Sequence, residues 1–115
     1  MEVIDTHRIK KVNSLIQEEV AKIISEEVDL PRDVLVTVIS ASTSADLKHA
    51  KVFISILPKN KTGSTFKFLN KKVGIIQKSL NKKLVMKFVP RLKFYLDETQ
   101  DKIHRIEELI EKNRK

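Results

Sequence analysis

The spacing of apolar residues changes period several times along this chain, and that order narrows the folds open to it. Ile9, Val12, Ile16, Val20 and Ile23 follow at intervals of 3, 4, 4 and 3, the stripe of an amphipathic helix. Asp5 or Thr6 is placed to cap its start, and Glu18 and Lys22 form an i,i+4 pair on its wet side. The helix should end near Glu27, because Pro31 disfavours helical backbone at Leu30. Residues 34–41 (VLVTVISA) and 52–57 (VFISIL) are β-branched and nearly continuous in apolar character, which predicts two strands. The polar STSADLKH between them suggests a hairpin with a longer connection.

A polar loop over 58–63 (PKNKTG) follows, with Ser64 able to cap the next helix. Phe66, Leu69, Val73, Ile76, Leu80 and Leu84 then return to intervals of 3, 4, 3, 4 and 4. Gly74 sits inside that run, where glycine costs about 1 kcal/mol relative to alanine, so it predicts a bend or a close contact. In 86–96 (MKFVPRLKFYL), Leu92, Phe94 and Leu96 alternate with Arg91, Lys93 and Tyr95, a half-buried strand with Pro90 at its start or on an edge. Asp97 or Thr99 caps a last helix with Ile103, Ile106 and Ile110 on one face. The expected order is α-β-β-α-α-β plus a C-terminal helix, an α+β fold with helices packed on a three-stranded sheet. Residues 1–115 suffice for a single domain and are too few for two cores.

Charge is segregated along this pattern. Residues 47–96 hold thirteen Lys and Arg and no Asp or Glu, whereas the remaining sixty-five residues hold ten basic and all fifteen acidic residues. The formal +8 is thus a local +13 offset by flanks of −5. Solubility needs no such separation. A concentrated positive field attracts a polyanion, of which nucleic acid is the commonest, with an acidic protein or lipid as the other readings.

Several chemistries are disfavoured at the outset. No cysteine is present, which removes disulfides, zinc knuckles and thiol nucleophiles. Gly63 and Gly74 are the only glycines, too few for a P-loop or a dinucleotide fingerprint. His7, His49 and His104 lie far apart, with no HExxH-like pair. The expectation is a non-enzymatic protein with no catalytic residues, no metal, no cofactor and no small-molecule substrate. With no apolar signal core after Met1 and no membrane-spanning run, it is also expected to be soluble and cytoplasmic.

On an ideal wheel Lys67, Lys71, Lys78 and Lys82 cluster opposite the apolar stripe, a strip that can follow a sugar–phosphate backbone. They would equally serve as a solvated face, but such a face normally carries some glutamate and this one has none. Lys72 and Lys83 belong to the same candidate set, and Lys48 and Lys51, beside His49, would extend the patch. Gly74 either admits a close RNA approach or packs against the protein. Arg32 can pair with Asp33 or Asp29, or reach RNA. Phe53, Phe66, Phe68, Phe88 and Phe94 fall in strand or helix patterns and are assigned to the core, leaving no aromatic platform for unpaired bases. Folded RNA read by shape and phosphate position fits better. The acidic flanks either orient the domain by repulsion or simply solubilise it.

The segment SADLKHAKVFIS, residues 44–55, resembles the S-x-D-L-x-x-A-K-V-y-v-S stretch of the ribosome-binding factor A family. The HRIKKVNSLIQEEVAKIISEEV helix with Pro31-Arg32, and VPRLKFYLDET downstream, are similar to that family's first helix and last strand; the resemblance spans roughly residues 7 to 112. It implies a type II KH-like fold whose helix–kink–helix has an A-x-G kink in place of a GXXG loop. The matching residues here are Lys72-Val73-Gly74, with Lys at the alanine position, where it can alter the bend or add a phosphate contact. The charged tail of some members has no counterpart in these 115 residues, so none of its roles is carried over. The resemblance further implies a monomeric assembly factor for the 30S subunit that binds 16S rRNA and supports late maturation, including 5′-end processing. A KH-like RNA- or DNA-binding module unconnected to ribosomes is the alternative, and a basic face for an acidic protein partner a third reading.

Overall fold

A computed structural model describes residues 6–97, and over them the order of elements is the expected one. Helix α1 (Thr6–Glu27) leads into strands β1 (Leu35–Thr43) and β2 (His49–Leu57). A short 3-10 turn (Lys59–Lys61) then precedes helices α2 (Thr62–Lys71) and α3 (Val73–Lys83) and strand β3 (Arg91–Leu96). The proposed Asp5 cap and the last helix, with Thr99, Ile103, Ile106 and Ile110, lie outside the described residues. β1 and β2 pair antiparallel, β2 and β3 parallel, giving the order β1-β2-β3. A parallel neighbour needs a crossover connection, and α2–α3 provide it.

The three described helices pack on one face of the sheet. Val12, Ile16, Val20 and Ile23 of α1 are buried, as the apolar stripe requires, and Ile9 is half-buried. They meet Ala50, Val52, Ile54 and Ile56 of β2, Leu92 and Phe94 of β3, Leu69 of α2, and Ile76 and Leu80 of α3 in one core. Side chains alternate across a strand. His49, Lys51, Phe53, Ser55 and Leu57 therefore face away from the helices, together with Arg91, Lys93 and Tyr95.

Polar side chains fix the helix–sheet register. The Asn13 Oδ1 accepts the Thr43 N–H at 2.8 Å. The Gln17 amide donates to the Ile39 carbonyl at 3.0 Å, where a bulge shifts the β1–β2 register between Val38 and Ser40. Gln77 of α3 acts as a substitute strand for the β3 edge. Its Oε1 accepts the Leu92 N–H at 2.8 Å and its Nε2 donates to the Pro90 carbonyl at 3.0 Å. Buried backbone groups need such partners.

Several local expectations are corrected. β2 begins at His49 rather than Val52, and β1 runs to Thr43, because Thr43 pairs with Ala50 across a tight connection. Ser64 lies inside α2 and its Oγ donates to the Lys61 carbonyl at 3.2 Å, so it does not cap the helix. Lys22 reaches Glu19, at 3.7 Å, in place of Glu18. Phe94 is core and Phe66 and Phe68 pack on its margin, but Phe88 is 76% exposed and Phe53 lies on the helix-free face. Among the described residues no helix is long and apolar enough to cross a membrane.

Candidate nucleic-acid interface

The break between α2 and α3 falls at Lys72, whose φ of −94° and ψ of 0° depart from helical values. The Lys72 N–H bonds the Leu69 carbonyl at 3.0 Å, and its own carbonyl accepts the Ile76 N–H at 3.0 Å, so one residue partners a carbonyl at the end of α2 and an amide at the start of α3. The Lys72 Nζ stands 5.5 Å from the centre of the Phe68 ring, a cation–π contact that holds the half-buried side chain over α2.

The glycine is not there for packing. A Cβ at Gly74 would meet nothing within 4 Å, and the residue is exposed. Of the two readings of Gly74, intrachain contact has no support, and the open backbone leaves room for an approaching ligand. Gly74→Ala should therefore stabilise the domain against urea by up to about 1 kcal/mol, the helix-propensity difference, with no clash to offset it.

Lys67 and Lys71 lie one turn apart on α2, Lys78 and Lys82 one turn apart on α3, and all four are exposed. Neither helix carries a carboxylate. Lys83 differs. Its Nζ lies 3.8 Å from Glu26 at the end of α1, beside the Ser79 hydroxyl that donates to Glu27. The acidic end of α1 thus borders the basic helix pair and engages one of its cations. Asp33 pairs with Lys61, and among the described residues Arg32 makes no ion pair.

Lys48 and Lys51 are not part of the helix strip. Lys51 projects from β2 between buried Ala50 and Val52, hence from the sheet face opposite the helices. Lys48 sits in the connection that Asp46 organises. The Asp46 Oδ1 accepts the Ser44 hydroxyl at 2.6 Å and the Lys48 N–H at 3.0 Å, while Ser44 Oγ accepts the His49 N–H at 3.0 Å. Leu47 takes φ of 61° to close the turn. The Ser44 hydroxyl, then the Lys48 amide, hold the Asp46 carboxyl below its ordinary 3.8. A depressed carboxylate contributes stability above its unfolded value and loses it as pH falls through the folded one. The turn should stay closed at neutral pH and open only below about 3.8, seen as a shift of the Lys48 amide resonance.

Sequence reasoning missed the helix-free face as a place for aromatic residues. Phe53 and Tyr95 are paired across β2 and β3, with ring centres 5.7 Å apart at 34°. The alternation of Arg91, Lys93 and Tyr95 already placed Tyr95 on the wet side; its neighbour was hidden in the continuous VFISIL run.

Comparison with known proteins agrees with this architecture. A family model described as ribosome-binding factor A matches residues 8–110. Ribosome-binding factor A of Protochlamydia amoebophila is 40% identical over 107 residues, covering 91% of this chain and 82% of the relative. That of Thermodesulfovibrio yellowstonii is 35% identical over 108 residues, covering 94% and 92%. The crystal structure of ribosome-binding factor A from Thermus thermophilus superposes with a TM-score of 0.67 at 20% identity, over 76% of this chain and 94% of that one, a likeness of fold. The match runs from α1 through β3 without a gap in element order, and on it the chain belongs to the ribosome-binding factor A family.

Proposed function

We propose that this protein binds the immature 30S ribosomal subunit through its 16S rRNA, supports late maturation including processing of the rRNA 5′ end, and leaves before translation. Membership of the ribosome-binding factor A family supports the ribosomal partner. The observation that carries the mode of binding is the bent α2–α3 pair, with Lys67, Lys71, Lys78 and Lys82 exposed and no carboxylate between Thr62 and Lys83. Ammonium groups on two inclined helices meet phosphates that follow a curved backbone. Such contacts position a protein on RNA without reading sequence. Gly74 opens the backbone at the bend, and Lys72 adds charge there.

The protein acts as a monomer in the cytoplasm, without cofactor, by differential binding. It holds one rRNA conformation more tightly than its competitors, and can shift the folding equilibrium by no more than that difference in affinity. Bond cleavage belongs to separate nucleases, since the acid-free segment offers no carboxylate to bind a metal or move a proton.

Sedimentation with isolated small subunits across a salt series tests this, with large subunits and free RNA alongside. Preferential small-subunit binding that weakens with salt is expected, and weakens further in a Lys71→Glu/Lys78→Glu variant. Equal binding to all three reduces the protein to a general KH-like RNA- or DNA-binding module. Absence of binding at low salt overturns the proposal.

A further inference from the structure

Five of the thirteen cations in the acid-free stretch lie off the helices, the break between them and their leading turn: Lys48, Lys51, Lys87, Arg91 and Lys93. Lys51, Arg91 and Lys93 share the sheet face that no helix among the described residues covers. There the parallel register sets Lys51 opposite Lys93 and His49 opposite Arg91. The Lys51–Lys93 pair sets like charges directly opposite, which destabilises a sheet, and neither strand carries a carboxylate to relieve it. Beside these cations stand Phe53 and Tyr95, half-buried, with the Lys51 and Lys93 ammonium groups 5.6 and 5.4 Å from the Tyr95 ring centre. At the His49–Arg91 end the face runs into a cleft of ≈ 850 Å³ whose lining includes the cations Arg8, Lys48 and Lys87, one carboxylate, Asp46, and Phe88. The Phe88 ring is 76% exposed, with the Lys87 ammonium 5.7 Å from its centre.

We infer that the helix-free face of the sheet is a second RNA surface, taking a single-stranded segment whose bases stack on Tyr95 and Phe53 and whose phosphates lie along Lys51, Lys93 and Arg91. Flat aromatic rings offer a π-face to any unpaired base, and a base within a duplex cannot reach them. A base arriving on Tyr95 displaces an ammonium from the ring, and that ammonium is then free to meet the phosphate of the same nucleotide. Beyond Arg91 the strand continues into the cleft, where Lys48 and Lys87 extend the positive track and Phe88 offers a further stacking surface. Charge complementarity selects a polyanion, and paired aromatic rings select bases over lipid headgroups. The inference rests on the same RNA-binding reading, but on residues that lie on the opposite side of the sheet from the helix lysines. The two surfaces can therefore fail separately.

The chain reports on this face by itself, because Tyr95 is the sole tyrosine and there is no tryptophan. Titrating the full chain with single-stranded octauridylate should quench tyrosine emission saturably, and a duplex RNA of the same length should not. The quench should persist in Lys71→Glu/Lys78→Glu. In Lys51→Gln/Lys93→Gln the affinity should fall and the log–log salt slope become shallower by about 1.4, the single-strand coefficient for two phosphates. By anisotropy of labelled octamer, Tyr95→Leu should bind about 5- to 150-fold more weakly, the range of one lost stacking contact, whereas Tyr95→Phe should retain affinity. Octamer binding by anisotropy without a quench would show the face covered by something else and overturn the inference. So would failure to bind the octamer, equal quenching by duplex, or a quench lost in the helix variant but kept in the strand variant.

Discussion

Ile76→Ala is expected to lower the unfolding free energy by about 2–5 kcal/mol, while Ile75→Ala, one residue earlier, changes it by no more than about 0.5 kcal/mol. Ile76 has no exposed surface and belongs to the core that joins α3 to the sheet and to α1. Ile75 is 56% exposed beside the kink. Truncating the first removes buried methyl groups and leaves a cavity whose walls lose their contacts. Truncating the second removes surface that is already half in water. Against the about 5–15 kcal/mol that ordinarily holds a domain folded, the first loss is a large fraction. Urea unfolding should show the midpoint of Ile76→Ala well below the parent with the slope unchanged. Equal effects at the two positions would place α3 on the wrong face. The consequence reaches function, because the kinked lysine pair is held on the sheet by Leu69, Ile76 and Leu80.

Both helical stripes and the last strand could be read from the sequence because burial imposes a period, and the first two strands because their β-branched runs favour extended backbone. The limits of the hairpin could not. Strand pairing extends through Thr43 and Ala50 up to a turn built from Ser44, Asp46 and Leu47, and the polar composition of that turn looks like an open loop. The bend was signalled by Gly74, yet the chain breaks at Lys72, where ψ near 0° ends one helix and starts the next. A glycine lowers the cost of a break nearby without fixing its position. The candidate site was legible as an amount of charge and not as a surface. Lys71 and Lys51 are both basic residues of the acid-free stretch, but α2 and the outward side of β2 point to opposite sides of the sheet. Only the register separates them. The same register moves Phe53 out of the core, because a continuous apolar run does not disclose which of its two faces lacks a covering layer.

The largest functional effect should come from Lys71→Glu/Lys78→Glu. Both residues are exposed, one on each side of the kink, so the exchange leaves the core untouched and moves the net charge from +8 to +4. Each lost phosphate contact removes about 0.7–0.9 from the log–log salt slope, which at 0.1 M salt corresponds to about five- to eightfold in affinity. Two lost contacts give about 25- to 60-fold. The two new carboxylates, held where phosphates must come, add repulsion that carries the total to about a hundredfold at low ionic strength. The slope should become shallower by about 1.4–1.8, so the parent and variant curves converge as salt rises. A structural cause would behave differently, with a constant ratio at all salt concentrations and a lowered urea midpoint. Lys71→Gln/Lys78→Gln separates the two electrostatic parts: it should lose the contacts and their slope but not suffer the repulsion, and so fall between parent and charge reversal. If both double variants bind small subunits as tightly as the parent at every salt concentration, Lys71 and Lys78 are ordinary solvated side chains and the helix pair is not the rRNA-binding face.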